Sequence, residues 1–118
     1  AADANGVDGV DVSSMNYPYS IVIGGPTPQD GNTISGNANA GIEVDDSSSK
    51  VTIQNNLVGV DPTGTSAVPN IMGVEIAGES DGGITIDKNV ISGNSEAGVD
   101  IHDTSDFVSP LVPFVAAQ

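Results

Sequence analysis

Branched apolar residues alternate with a carboxylate in a four-residue motif that begins with glycine and occurs four times. The copies are Gly-Val-Asp-Val at 9–12, Gly-Ile-Glu-Val at 41–44, Gly-Val-Glu-Ile at 73–76 and Gly-Val-Asp-Ile at 98–101. A period of two places the apolar pair on one face of a strand and the acid on the other. Because a strand that recurs every 25 to 32 residues is typical of a solenoid, the motif predicts a repeat architecture.

Two further strand patterns recur between the copies of this motif. One is Asn-x-[Ile/Val] at 32–34, 56–58 and 89–91, and the other is an apolar alternation at 21–23, 51–53 and 84–86. Three short strands and three polar corners per coil predict an all-β fold, a parallel β-helix of about three coils. The second coil is longer than the others, and its extra residues at 61–71 contain Asp-Pro-Thr-Gly-Thr, which predicts a loop.

The repeats predict which side chains stack from coil to coil, at the strand spacing of about 4.8 Å. Asparagine recurs at one corner, where it can stack amide to amide along the axis, serve as a turn former, or do both. The expected inward columns are Val10, Ile42, Val74 and Val99; Val12, Val44, Ile76 and Ile101; Ile34, Val58 and Ile91; and Ile23, Ile53 and Ile86, with Asn32, Asn56 and Asn89 at the corner.

The segments at 31–44 and 89–101 resemble the right-handed parallel β-helix repeat of the pectate-lyase-like superfamily. Residues 58–67, followed by Asn70 and the motif at 73–76, resemble a segment common in large bacterial secreted and surface proteins. The resemblance spans about residues 7–104. It implies the right-handed coil and an extracellular or cell-surface location, but it does not identify an activity, since this fold hosts many functions.

The composition of the chain limits the classes of partner that it can bind. The net charge is −14, with 16 acidic residues against Lys50 and Lys88 and no arginine. Nucleic acid and anionic membranes are disfavoured because both require clustered cations, and no apolar run approaches the roughly 20 residues of a membrane-spanning helix.

Aromatic residues make up 3% of the chain, which suits a narrow core of Val, Ile and Ala. The start, Ala-Ala-Asp-Ala without Met, fits a processed secreted chain or a fragment.

The carboxylates of the glycine motif would form one outward column, Asp11, Glu43, Glu75 and Asp100. Like charges placed opposite each other on neighbouring strands destabilise a sheet, so ions, salt or a basic partner should offset the repulsion. Calcium takes 6–8 oxygen ligands, and calcium is the one cofactor that this face suggests; the alternative is a solvated acidic face. Further oxygens would come from Asp8, Asp45, Asp46 and Asp103.

The only histidine lies in Asp100-Ile101-His102-Asp103. A carboxylate beside an imidazole can act in acid–base catalysis, which makes Asp100, His102 and Asp103 the catalytic candidates. The segment resembles the Asp-Pro-His-Asp motif of β-helical mannuronan epimerases, with Ile101 in place of the proline. No arginine is available to neutralise a uronate, so an incidental surface histidine is the favoured interpretation, and no enzymatic activity is expected.

The domain boundary is placed at residue 106, with a β-helix domain at 1–106 and an apolar tail at 107–118. Pro110 and Pro113 oppose a regular central strand, so the tail is predicted to be irregular. Three interpretations are open: a cap on the last coil, a contact with the next molecule, or the cut end of a longer chain. The candidates for an inter-subunit contact are Phe107, Leu111, Val112, Phe114 and Val115.

The favoured function is structural. A short solenoid exposes strand edges at both ends, and subunits that stack head to tail through such ends form an open filament. We therefore expect a secreted or cell-surface structural or adhesive module that assembles into a homo-oligomer or filament, or forms part of a larger surface protein. The alternative is a module that binds carbohydrate or modifies it, of lyase or epimerase type, with calcium at the acidic face.

Overall fold

The computed structural model describes residues 6–13, 20–45, 50–77 and 84–101, together with the backbone of Val115–Ala117. Apart from one turn of 3-10 helix at Pro28–Asp30, every regular element in these ranges is a strand, and no helix there could span a membrane. In chain order the strands are β1 Val10–Ser13, β2 Ser20–Gly24, β3 Thr33–Ile34, β4 Ala40–Asp45, β5 Lys50–Gln54, β6 Leu57–Val58, β7 Met72–Ala77, β8 Ile84–Asp87, β9 Val90–Ser92, β10 Ala97–Ile101 and β11 Val115–Ala117.

The strands form three parallel sheets that the chain visits in turn. Sheet A contains β1, β4, β7 and β10; sheet B contains β2, β5 and β8; and sheet C contains β3, β6, β9 and β11. One coil takes one strand from each sheet, so β1 to β9 make three coils, and β10 and β11 begin a fourth layer. The prediction of an all-β parallel β-helix of about three coils is confirmed.

The glycine motif supplies all four strands of sheet A, and its copies align residue for residue. Asp11 pairs with Glu43, Glu43 with Glu75, and Glu75 with Asp100. The apolar positions on either side align in the same way, which confirms the predicted register. The two inward columns are Val10, Ile42, Val74 and Val99, and Val12, Val44, Ile76 and Ile101.

The core is a stack of branched aliphatic side chains, as the composition predicts. In sheet B Ile23 pairs with Ile53 and Ile53 with Ile86. Sheet C contributes another column of three residues, Ile34, Val58 and Ile91. Burial is complete in the middle layers. The side chains with 0% exposure include Ile42, Val44, Val51, Ile53, Val58, Val74, Ile76 and Ile86.

Asparagines stack at the corner between sheets B and C, as the predicted amide-to-amide stacking requires. Asn32 Nδ2 donates to Asn56 Oδ1 at 3.2 Å, and Asn56 Nδ2 donates to Asn89 Oδ1 at 3.1 Å. The backbone N–H of Asn56 also donates to Asn89 Oδ1, at 2.8 Å. Asn56 and Asn89 are buried, so this ladder satisfies backbone groups that would otherwise lose their hydrogen bonds inside the coil stack.

A second asparagine ladder, which the sequence does not predict in this role, lies at the corner between sheets C and A. Asn37 Nδ2 donates to Asn70 Oδ1 at 2.9 Å, and Asn70 Nδ2 donates to Asn94 Oδ1 at 3.0 Å. The backbone N–H groups of Asn37 and Asn70 donate to the same two oxygens. Asn70 Nδ2 also donates to the carbonyl of Ile34. Asn70, in the middle of the ladder, therefore connects its own coil to those on both sides.

The glycine of the repeated motif lies where neighbouring coils come closest. A Cβ on Gly41 would lie 2.8 Å from the carbonyl oxygen of Gly73 and 2.9 Å from Nδ2 of Asn70. On Gly73 it would lie 2.5 Å from the carbonyl oxygen of Gly98 and 2.6 Å from the Ile91 side chain. Neither residue has a positive φ, so the backbone conformation does not itself require glycine. Glycine is required because a side chain would push the coils apart.

The extra residues of the second coil form a loop, as predicted, and this loop packs beside sheet C. Val60 and Ala67 form an antiparallel bridge that closes the loop. Val68 accepts a hydrogen bond from Gly36 N–H of the first coil at 3.0 Å. On the other side, a Cβ on Gly93 of the third coil would approach Cβ of Ala67 to 2.9 Å. The loop thus lies against three successive coils without changing the strand register.

The C-terminal tail differs in part from the sequence-based expectation of an irregular segment. The backbone of Val115–Ala117 forms β11, which pairs in parallel with β9. Both prolines of the tail precede β11 in the sequence, so the strand itself retains every backbone N–H that the pairing needs. Phe107, Leu111, Val112 and Phe114 lie outside the described residues, as do the side chain of Val115 and the boundary at residue 106.

Candidate functional site

The acidic column lies on the outward face of sheet A, one carboxylate on each strand. Asp11 is exposed, and Glu43, Glu75 and Asp100 are partly buried. Because the strands are in register, successive carboxylates are separated by the strand spacing of about 4.8 Å. The structure thus aligns the four residues predicted as metal ligands, and calcium binding there stays a prediction.

The carboxylates come closest at the first two coils. One carboxylate oxygen from each of Asp8, Asp11 and Glu43 lies within 4.8 Å of the others. Asp8 reaches this position from the chain just before β1, and Asp8 Oδ1 accepts hydrogen bonds from Ala40 N–H and Asn39 Nδ2, both at 2.9 Å. Asp11 Oδ1 accepts a hydrogen bond from Oγ of Ser13. These contacts fix two of the carboxylates around the third.

Crowding at this cluster changes the acid–base behaviour of Glu43. A hydrogen bond with the Asp8 side chain raises the pKa of Glu43 to about 7, with further contributions from burial and from the negative charges of Asp8, Glu75 and Asp11. A hydrogen bond between two carboxyl groups requires a proton on one of them. Near neutral pH, Glu43 therefore exchanges between a protonated form, which donates to Asp8, and an ionised form, which repels it.

The cluster can relieve its repulsion with a proton or with a cation. Its three carboxylates supply fewer oxygens than the 6–8 that calcium takes, unless some bind through both oxygens or water completes the shell. A shallow concavity, lined by Gly6, Val7, Asp8, Gly9 and Asp11, opens beside the cluster. Solvent therefore reaches the carboxylates from the N-terminal side. From the sequence, Asp8 is predicted only to supply a further oxygen ligand near the acidic column. In the structure its carboxylate belongs to the cluster itself.

Of the three catalytic candidates, only Asp100 lies within the described residues. Asp100 lies at the end of the acidic column, paired with Glu75. His102 and Asp103 lie outside the described residues, so the acid–base arrangement predicted for them stays a sequence-based hypothesis. Among the predicted metal ligands, Asp11 and Glu43 meet in the three-carboxylate cluster. Glu75 and Asp100 continue the column toward the other end of the sheet.

The loop at 61–71 contains a second well-ordered carboxylate. Asp61 Oδ1 accepts hydrogen bonds from Thr63 Oγ1 at 2.7 Å and from the N–H groups of Thr63 and Thr65, both at 3.1 Å. The Thr63 hydroxyl, followed by the Thr65 N–H, holds the pKa of Asp61 below its ordinary value. All of these partners belong to the loop itself, so the hydrogen bonds of Asp61 stabilise the turn at the tip of the loop.

Comparison with protein families identifies one match. Residues 21–109 match the family model described as a right handed beta helix region. Neither the curated proteins nor the solved structures contain a match to this chain. The matched segment covers most of the 118 residues and includes eight of the strands described above. The chain therefore belongs to the right-handed β-helix family.

Proposed function

We propose that this chain is a structural module, a rigid segment of an extracellular β-helical shaft that extends by end-to-end stacking. The observation that carries the proposal is the distribution of the repeated residues. The glycine of each motif, the asparagines of both ladders and the paired apolar positions all face the neighbouring coil. What the sequence repeats is thus the contact between coils.

The two ends of the coil stack also support the proposal. Within the described residues, β1 pairs only with β4 and β10 pairs only with β7, so each leaves one edge of hydrogen-bonding groups without a strand. Open edges of this kind favour pairing with another chain. The acidic surface, with a net charge of −14, suppresses lateral association through repulsion, so growth along the axis is favoured over side-by-side aggregation.

Electron microscopy and sedimentation of the purified chain test the proposal. At high protein concentration, and with enough salt to screen the carboxylates, we expect unbranched fibres one coil stack wide and a sedimentation coefficient that increases with concentration. A single small species at every concentration and salt level would contradict self-assembly of this chain. Binding to polysaccharide in the presence of calcium, measured at the same salt concentrations, would instead favour the alternative function.

A further inference from the structure

The last glycine of the repeat has space that the other three lack. A Cβ on Gly9, Gly41 or Gly73 would lie 2.8, 2.8 or 2.5 Å from the carbonyl oxygen of the next motif glycine. At Gly98 the nearest atom to an added Cβ is the Cγ2 of Ile91, at 3.6 Å, which is ordinary contact. Within the described chain an alanine would therefore fit at position 98, although the sequence retains glycine there.

The second asparagine ladder also stops short at this end. In the first two steps, the backbone N–H and Nδ2 of one asparagine both donate to Oδ1 of the next. Asn94 accepts from Asn70 in this way, and its Nδ2 donates to the carbonyl of Val58 at 3.2 Å. No described residue offers Asn94 the next Oδ1. The glycine column and the ladder are thus both arranged to receive another coil at β10.

The edge of β1 matches this vacant position in sequence and in direction. Gly9, Val10, Asp11 and Val12 repeat the pattern of Gly98, Val99, Asp100 and Ile101. Each existing interface of sheet A pairs these motifs in parallel and in register. Asn5 also precedes Gly9 by four residues, as Asn94 precedes Gly98, although Asn5 lies outside the described residues. A β1 strand placed on β10 would continue the existing inter-coil interface.

We propose that the β10 edge binds the β1 edge of a second copy of this chain, in parallel and with Gly98 opposite Gly9. Val99 then lies opposite Val10, Asp100 opposite Asp11, and Ile101 opposite Val12. This inference rests on the proposed shaft function, and it adds the two strands that meet and their register. The contact would cover Ile101, which is 36% exposed, and the partly buried Val99 and Val10.

The same register extends the acidic column across the junction. Asp100 would face Asp11 of the second copy, and like charges opposite each other oppose strand pairing. Salt screens exposed charges over a Debye length of about 10 Å at 0.1 M ionic strength. The proposed contact is therefore stronger at high salt, in contrast to a contact between opposite charges, which weakens with salt.

Cysteine cross-linking tests the register, because the chain contains no cysteine of its own. In a variant with Asp11→Cys and Asp100→Cys, the two positions in one molecule are three strand spacings apart, roughly 14 Å. A disulfide needs a Cα–Cα distance of about 4.4–6.8 Å, so only neighbouring molecules can link. After mild oxidation we expect a series of disulfide-linked multimers of increasing size, and a larger fraction of linked protein at high salt.

The matched control replaces Asp11 and Glu75 with cysteine. It removes the same charge from the same face, but in the proposed contact its two sulfurs lie two strand spacings apart, roughly 10 Å, within a molecule and across the junction alike. Multimers in the first variant and not in the control support the register. Equal multimers in both, or monomers in both, overturn it.

Gly98→Ala gives an independent readout that folding does not confound. Alanine fits at this position against the described residues, so the melting temperature at low protein concentration should not fall, whereas fibres and multimers should be lost. Assembly equal to that of the unmodified chain would overturn the proposal. If the unmodified chain forms fibres but the variant with Asp11→Cys and Asp100→Cys forms no cross-link, the shaft function stands and this register is wrong. If neither fibres nor cross-links form, both proposals fail.

Discussion

Strands β7 and β10 carry almost the same residues in different surroundings. Both contain Gly-Val-acid-Ile, and β7 lies between β4 and β10, whereas β10 has a partner on one side only among the described strands. Val74 and Ile76 of β7 are fully buried, while Ile101 of β10 is 36% exposed. The difference shows that a repeat residue stabilises this fold through the coils on both sides of it. The same substitution should therefore have a large effect in the interior layers and a small effect in the end layers.

The largest expected difference between interior and end concerns the asparagine ladders. Asn70→Ala removes the acceptor of the Asn37 N–H and the donor to Ile34 O, both at a buried corner. Each buried polar group left unsatisfied costs about 1–3 kcal/mol, so the free energy of unfolding should fall by about 3–5 kcal/mol. Urea denaturation monitored by circular dichroism measures the loss.

The control for Asn70→Ala is Asn32→Ala, at the exposed end of the other ladder. Asn32 loses one side-chain bond to Asn56, at 3.2 Å, and its backbone N–H keeps the bond to the same oxygen. We expect a loss of about 0.5–1.5 kcal/mol. Similar losses for the two variants would show that the interior of the stack contributes no more than its end.

The glycine column provides the second comparison. Gly73→Ala forces a methyl group toward Gly98 O and the side chain of Ile91, and overpacking of this kind typically costs about 1–3 kcal/mol. Gly98→Ala meets no such contact with the residues that the structure describes, and the restricted unfolded chain can add about 0.4–1 kcal/mol of stability. Thermal unfolding at low protein concentration compares the two variants. A destabilised Gly98→Ala monomer would contradict the open space described at β10.

The smallest expected effect concerns the pH dependence of stability at Glu43, which is partly exposed, so that solvent screens its interactions with the neighbouring carboxylates. Its pKa is about 7 in the folded chain, above its value of about 4.3 in unfolded peptides. Between these values the folded state binds more protons than the unfolded state, so stability falls as the pH rises from 5 through 7. Glu43→Gln keeps a donor toward Asp8, and the variant should exceed the unmodified chain in stability at pH 8 but match it near pH 5.

The control for this prediction is Glu96→Gln, which removes one negative charge from an exposed residue remote from the cluster. Melting temperatures of the three proteins are measured in closely spaced buffers from pH 5 to pH 8. Glu96→Gln should retain the pH dependence of the unmodified chain. If Glu43→Gln also retains it, the proton shared between Glu43 and Asp8 does not control that dependence.

Much of the fold could be predicted because a parallel coil stack converts sequence spacing directly into spatial register. Once residues 41–44 are assigned as a strand on 73–76, alternation alone places Ile42 against Val74 and Glu43 against Glu75. The corner at Asn32, Asn56 and Asn89 could be predicted for the same reason, since each asparagine begins the same short strand pattern.

The second ladder and the carboxylate cluster could not be predicted in the same way. Asn37 and Asn94 precede their motif glycines by four residues, but Asn70 precedes Gly73 by three, so the set has no fixed spacing. A useful signal is the repeated Ser-Gly-Asn at 35–37 and 92–94. Asp8 reaches Glu43 of β4 from the segment that precedes β1, so the contact depends on the path of that segment, which no repeat specifies.

The asparagine ladders give the coil stack a direction. The backbone N–H groups of Asn37, Asn56 and Asn70 donate to the side-chain oxygen of the following asparagine. Each of these ladder bonds therefore has its donor in the earlier coil and its acceptor in the later coil, so the two ends of a ladder are chemically different. Two molecules joined head to head would bring like ends of the ladders together, so a fibre built on the ladders has all its subunits pointing the same way.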